Sequence, residues 1–308
     1  KNKNIDVIIL DHHQSEIKLP NAHSIVNPNR FDDRSDLNYL CAAGVCFLFL
    51  IALNKKLRDQ NWFKLNTISE PDLINILDLV SLGTVCDVVP LVGLNRAIVH
   101  QGLKVLKKKN NLGLKTLIET SSIESNITTY HLGYVLGPRI NAGGRVGKST
   151  HGVNLLLNTN PKEAFKFASE LNNYNKERQV LESELLKEIL NTDFKINSDP
   201  VIILHGENWH EGIIGIIAAR VKEKYNKPTI IISVTSGVGK GSARSIYGFD
   251  IGSVVIGAVQ NELLVKGGGH KMAAGFTINM DQIDKFKEFV FKKYRSVNIN
   301  LEEKKNYY

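Results

Sequence analysis

The chain has 308 residues, 43% of them hydrophobic, and Lys and Arg outnumber Asp and Glu to give a formal net charge of +8. That length allows two ordinary domains, each with its own core, and the charge is compatible with a polyanionic partner without requiring one. Cys41, Cys46 and Cys86 are odd in number and form no Cys-x-x-Cys, which supports neither a disulfide framework nor a zinc ribbon and leads us to expect a cytoplasmic setting. No signal peptide is apparent, and the longest apolar stretch, Tyr39 to Leu53, falls short of the ~20 residues a bilayer requires, so no membrane partner is expected and the stretch reads as a buried helix. The chain starts at Lys1 without a methionine and enters a strand almost at once, so it is expected to be a piece of something longer.

Asp6 to Leu10 is a nearly unbroken apolar run ending in polar residues, the pattern of a parallel strand covered on both faces. It ends on Asp11-His12-His13, one carboxylate and two imidazoles. That set suits a hard or borderline divalent ion such as Mn²⁺ better than zinc; taken alone the three residues read first as a helix cap followed by polar surface, and it is the glycine-rich and basic segments downstream that favour the ion. Ile25-Val26-Asn27-Pro28 reads as a short strand stopped by its proline. Helices are expected from about Asn38 to Leu57, from Pro71 to Leu82 with Gly83 ending it, and from Asn95 to Lys108 with lysines at its C-terminal end. Gly113 to Thr120 and Thr129 to Leu136 follow as shorter ones. Pro161 to Asn191 is the longest helical pattern and reads as a connector between two lobes. After Pro200, strands at Val201 to Leu204 and Thr229 to Val234 with a helix Gly212 to Lys224 between them give a βαβ crossover. Lys240 to Ser245, Ala273 to Ile278 and a helix from Asp281 to Tyr294 complete the second lobe, and the tail Glu302 to Tyr308 is expected to fray.

Five further stretches carry candidate chemistry. Gly267-Gly268-Gly269-His270 reads either as a plain glycine-rich turn or, with the adjoining imidazole in its favour, as backbone whose amides approach an anion closely. In Lys240 to Ser245, strand alternation puts Ser242 and Arg244 on one face, where hydroxyl and guanidinium can hold two phosphate oxygens. Gly137 to Arg145 reads as a loop, stiff at Pro138, with Arg139 and Arg145 at either side of Asn141. Asp87, among apolar neighbours in Gly83 to Pro90, reads as a buried carboxylate that requires either a cation or loop amides. Trp209-His210-Glu211-Gly212 is either a helix start with Glu211 near the N-cap or a substrate contact. His23, His100, His131, His151 and His205 receive no role.

Taken in order, DHH, GTVCDVVPL, GPRINAGGR, WHEGIIGIIAARV, GKGSARS and GGGHKMAAGF make the chain resemble the DHH phosphoesterase superfamily, and within it the RecJ-type single-stranded-DNA exonucleases, over nearly its whole length. The resemblance implies an α/β fold with a partial DHH domain built on a parallel sheet (1–158), a connecting helix (159–194), a smaller α/β DHH-associated domain (195–297) and a tail (298–308). It implies 5′ to 3′ hydrolysis of single-stranded DNA in repair and recombination by a two-metal mechanism with Mn²⁺ or Mg²⁺, the two lobes facing a common cleft. It makes His12 and Asp87 metal ligands, and gives Asp11 and His13 catalytic positions, His13 beside the scissile phosphate and Asp11 orienting the pair. Arg139, Asn141, Arg145, Ser242, Arg244, Gly268, Gly269 and His270 become substrate contacts. Single-strand-binding protein is a partner expected from the family alone.

One departure accompanies the match. The family carries an Asp-x-Asp cluster and a further aspartate on strands before the DHH loop, and only ten residues precede Asp11 here. Asp6 cannot substitute, because five extended residues place it ~16 Å away. The OB-fold that usually follows is also missing, so the isolated chain is expected to bind Mn²⁺ weakly and to be inactive. The competing readings are a short-oligonucleotide or phosphoadenosine phosphatase of the same superfamily, and a non-catalytic DNA-binding protein.

Overall fold

The structure, a computed structural model, describes residues 5–15, 18–124, 126–191 and 199–297. The polar tail expected to fray lies outside these residues. The chain divides into two compact units, the first comprising 1–143 and 149–173 and the second 144–148 and 174–308.

In the first unit, β1 (Ile8–Leu10) and β2 (Ser24–Val26) pair in parallel, Ile9 opposite Ile25. A helical body follows: α1 (Ala42–Asp59), α2 (Trp62–Leu65), α3 (Leu77–Cys86), α4 (Gly93–Leu106) and α5 (Leu112–Thr120). Polar side chains set the starts of several elements. Cys41 accepts from the Gly44 amide before α1, Asn111 accepts from that of Leu114 before α5, and Asp72 caps a 3₁₀ turn that leads into α3. Phe47, Leu77, Val80, Ile98 and Val105 form a core where α1, α3 and α4 meet. The stretch expected to be a buried helix is only half so, with Ile51 and Leu53 in solvent. Gly83 does not end α3 as expected. A Cβ there would stand 2.8 Å from that of Ala43, so the glycine lets α1 and α3 approach while the helix runs on to Cys86.

A π-helix, His131–Leu136, continues into α6 (Gly137–Val146), so GPRINAGGR is helical and not the expected loop. The Gly137 amide donates to the Leu132 carbonyl in the wider π register, and Pro138 falls in the first turn of α6, where its missing N–H costs little. α7 (Thr150–Leu156) and α8 (Pro161–Leu190) follow, α8 belonging to the first unit up to Asn173 and to the second from Tyr174.

Among the described residues the second unit has a five-stranded sheet in the order β3-β4-β5-β7-β6, made of β3 (Ile202–Glu207), β4 (Thr229–Thr235), β5 (Val238–Arg244), β6 (Lys266–His270) and β7 (Ala273–Asn279), packed with the later part of α8 and with α9 (Ile214–Tyr225), α10 (Ile251–Gln260) and α11 (Ile283–Arg295). β3 and β4 are parallel and joined through α9, the crossover expected; the remaining pairs are antiparallel. One face, with Ile230, Ile232, Ala243, Phe276 and Ile278, packs against Val254 and Val255 of α10 and Phe286 and Val290 of α11. On the opposite face Ile202 and Ile231 meet Ile214, Ile217 and Val221 of α9. The sequence reading missed α10, because Ile251-Gly-Ser-Val-Val-Ile-Gly-Ala-Val is apolar nearly all round and shows no stripe. Its signal was the cap, Asp250 accepting from the Ser253 amide at 3.0 Å.

Candidate active site

In the first unit β1 delivers the Asp11-His12-His13 loop, and the register with β2 fixes where it turns: the Asp11 amide donates to the Val26 carbonyl at 3.0 Å. Asp11 does not cap a helix. Its Oδ1 accepts from the amides of His12 (2.8 Å) and His13 (3.3 Å) and stands 2.7 Å from His13 Nδ1. Burial pushes the Asp11 carboxyl up, but the His13 side chain and the two amides outweigh it and leave the group below its ordinary value. A carboxylate at Nδ1 requires a proton there, so in a neutral imidazole His13 Nε2 is the free acceptor.

His12 turns the other way, its Nε2 3.4 Å from Asp87 Oδ2. Asp87 caps the C-terminus of α3 with its side chain 39% exposed, which corrects the expectation of a buried carboxylate. The chain leaves the helix through Val88, a β-branched residue at φ 57° and 87% exposed, where glycine is the usual choice. Strain of this kind is characteristic of functional sites.

Two residues that the sequence reading had given no role hold the loop in place. Asn27 Nδ2 donates to the His13 carbonyl at 2.8 Å, and Asn29 Nδ2 donates to that of His12 at 2.6 Å, while the Asn29 amide donates back to Asn27 Oδ1. Their only signal was their place at the end of a strand destined to lie beside the first.

A divalent ion with ligand bonds of about 2.0–2.4 Å at right angles separates neighbouring donors by about 3 Å. The imidazole nitrogen and carboxylate oxygen, 3.4 Å apart, therefore fit two adjoining positions around one ion. Among the described residues no group of three or more His, Cys, Asp or Glu side chains could hold a metal, so the fit is to part of a coordination shell.

The second unit gathers cationic and small residues. Ser242 and Arg244 share a face as expected, Arg244 Nη1 donating to Ser242 Oγ at 3.2 Å and to the Ala243 carbonyl at 2.8 Å. Gly215, in the first turn of α9, lies so close that a Cβ would stand 3.0 Å from Ser242 Oγ and 3.1 Å from Arg244 Nη2. Arg145 donates to the Gly212 carbonyl at 3.1 Å, just before that helix. Burial first and the Arg145 charge second lower the Arg244 pKa; burial and then Arg178 do the same for Arg145, against Glu182, which raises it. Two guanidiniums that repel, a hydroxyl and a helix N-terminus are a combination an oxyanion would satisfy.

Register extends this face. Arg244, Ala273 and His270 are neighbours across β5, β7 and β6; Ser242, Gly275 and Gly268 form the next row, and Lys240, Thr277 and Lys266 the third. GGGH is thus an edge strand, not a turn, and Gly269 points to the opposite face from Gly268 and His270. The other candidates make contacts of their own. Arg139 donates to Asn172 Oδ1 (3.1 Å) and the Val135 carbonyl (2.8 Å), and Asn141 is exposed on α6. Glu211 lies two residues before Ile213, the N-cap of α9; His210 Nδ1 accepts from the Gly212 amide, and Trp209 Nε1 donates to Glu188.

Residues 198–296 match the DHHA1 domain. The chain is 37% identical over 298 residues to the single-stranded-DNA-specific exonuclease RecJ of Salmonella typhimurium, covering 94% of this chain and 52% of that protein. It therefore spans about half the length of the curated relatives it matches. Among solved structures, RecJ of Thermus thermophilus in complex with Mn²⁺ superposes with a TM-score of 0.82 at 30% identity, over 96% of this chain and 42% of that one. An exonuclease RecJ bound to manganese gives 0.76 at 30% identity, over 96% of this chain and 70% of that one. Agreement in sequence and in fold along almost all of its length places the chain in the RecJ family.

Proposed function

We propose that the chain carries metal-binding and phosphate-binding parts of a 5′ to 3′ exonuclease that hydrolyses single-stranded DNA with Mn²⁺ or Mg²⁺ in DNA repair and recombination in the cytoplasm. The observation that carries this reading is the convergence of His12 Nε2 and Asp87 Oδ2, brought from a strand end and a helix end 75 residues apart in sequence. His12 and Asp87 would hold a divalent ion. When bound, such ions supply a hydroxide near neutral pH and positive charge at the phosphoryl oxygens. Asp11 fixes the His13 ring so that Nε2 is turned to a substrate oxygen or water. Arg244, Ser242 and Arg145 supply fixed donors for a phosphate, with no reorganisation required at the moment of reaction. Solved relatives that contain manganese support the choice of ion.

Two protein ligands leave most of an octahedral shell to water, so the 308 residues alone should bind Mn²⁺ weakly and degrade 5′-phosphorylated single strands little. Calorimetric titration with Mn²⁺ tests the site. His12→Ala and Asp87→Asn should each weaken binding by about tenfold or more, with melting curves unchanged. Unaltered Mn²⁺ affinity in both variants would overturn the assignment. Vigorous Mn²⁺-dependent hydrolysis by the unmodified chain would overturn its expected silence.

A further inference from the structure

Tyr130 and Tyr134 stand together at the π-helix, their ring centroids 5.2 Å apart and their planes tilted by 30°. They are 62% and 74% exposed, whereas Leu132 and Leu136 of the same segment are fully buried. His131 meets Tyr130 edge-on, centroids 5.6 Å apart. Core packing therefore uses the leucines and leaves two partly stacked rings in water.

Their position follows from the other side of this segment. A Cβ on Gly133 would lie 3.4 Å from Val85 Cγ1, one on Gly137 would lie 2.5 Å from Cys86 Sγ, and Cys86 Sγ donates to the Leu132 carbonyl at 3.5 Å. The π-helix is thus seated on the last turn of α3, the turn that presents Asp87. Wide π turns within helices recur where a side chain must be aimed for function.

We propose that Tyr134, backed by Tyr130, is a stacking platform for the bases of a DNA single strand whose backbone is engaged beside Asp87; this rests on the reading given under Proposed function. Aromatic faces accept any base because every base has a π-face, and a net charge of +8 favours a polyanion over an uncharged apolar partner. The platform uses residues other than the ion ligands of the same unit.

Binding of the 308-residue chain to oligothymidylate, and to the same oligomer with abasic sites, read by fluorescence anisotropy over a range of salt, tests this. Tyr134→Ala should weaken oligothymidylate binding about 5- to 100-fold, Tyr134→Phe should bind as the unchanged protein does, and the salt slope should stay the same because phosphate contacts persist. The abasic oligomer should be bound equally by all three proteins. The platform is overturned if Tyr134→Ala binds oligothymidylate as tightly as the unchanged chain, or if its loss is matched on the abasic oligomer or comes with a shallower salt slope. Failure of the unchanged chain to bind oligothymidylate even at low salt would sink both this proposal and the functional reading beneath it, whereas unaltered binding in the variant sinks only the platform.

Discussion

At position 29 an asparagine works for a carbonyl 17 residues away: its Nδ2 donates to His12 O at 2.6 Å, and Asn27 does the same for His13 O at 2.8 Å. These bonds to main chain set the direction of two imidazoles without touching either. Asn29→Ala is expected to cost about 1 kcal/mol in denaturant unfolding and to loosen Mn²⁺ by about tenfold, a larger proportional effect on the ion than on the fold. Asp11, His12 and Asp87 stood out in sequence as candidates, the first two at the end of an apolar run and the third as a carboxylate among apolar neighbours. Asn27 and Asn29 did not, since the atoms they serve are backbone and become neighbours only when β2 pairs with β1. Asp87 was recognised as a candidate for a wrong reason: its apolar neighbours in sequence point elsewhere, and the carboxylate itself is partly in solvent.

The elements most often misread were those rich in glycine. GPRINAGGR and GGGH have the composition of loops, yet one is a helix and the other a strand. Composition reports backbone preference, whereas here close contact decides, as where Gly137 lies against Cys86. That contact has a measurable side. Burial first and the Asp87 charge second push the Cys86 thiol up to about 11 from an ordinary 9.0. The thiol is the neutral form, so at pH 8 it should carry about 100-fold less thiolate than an unperturbed cysteine. Iodoacetamide should modify Cys86 correspondingly slowly, with the rate climbing about tenfold per pH unit until roughly pH 11. Rapid alkylation at pH 8 would mean that the π-helix does not cover the end of α3. Long elements with one apolar stripe, such as α8, and the β3-α9-β4 crossover were legible because periodicity and turn chemistry agree there. α10 was not, because its sequence is apolar nearly all round and shows no period, although the folded helix buries one stripe and leaves Ser253, Ile256 and Gln260 exposed.

Across the molecule as a whole, the sheet of the second unit changes character from one edge to the other. Along one row, Leu204 and Ile231 lie beneath α9, Ser242 marks the boundary, and Gly275 and Gly268 carry the surface onward as bare backbone. No single strand reveals this gradient; it exists only once five strands are in register. It gives adjacent glycines of one edge strand opposite characters. A Cβ on Gly268 meets nothing within 4 Å, while one on Gly269 would collide with Ala273 O at 2.4 Å and Ala274 Cα at 2.5 Å. Gly269→Leu should lower the melting temperature sharply by splitting β6 from β7. Gly268→Leu should leave it unaltered and still abolish capture of an oligonucleotide, read by the same anisotropy measurement. One position along a three-glycine tract thus offers a blocking handle that leaves the architecture intact, and its immediate neighbour a lever on the architecture itself, so a single pair of variants can separate a protein that has lost its ligand from one that has lost its shape.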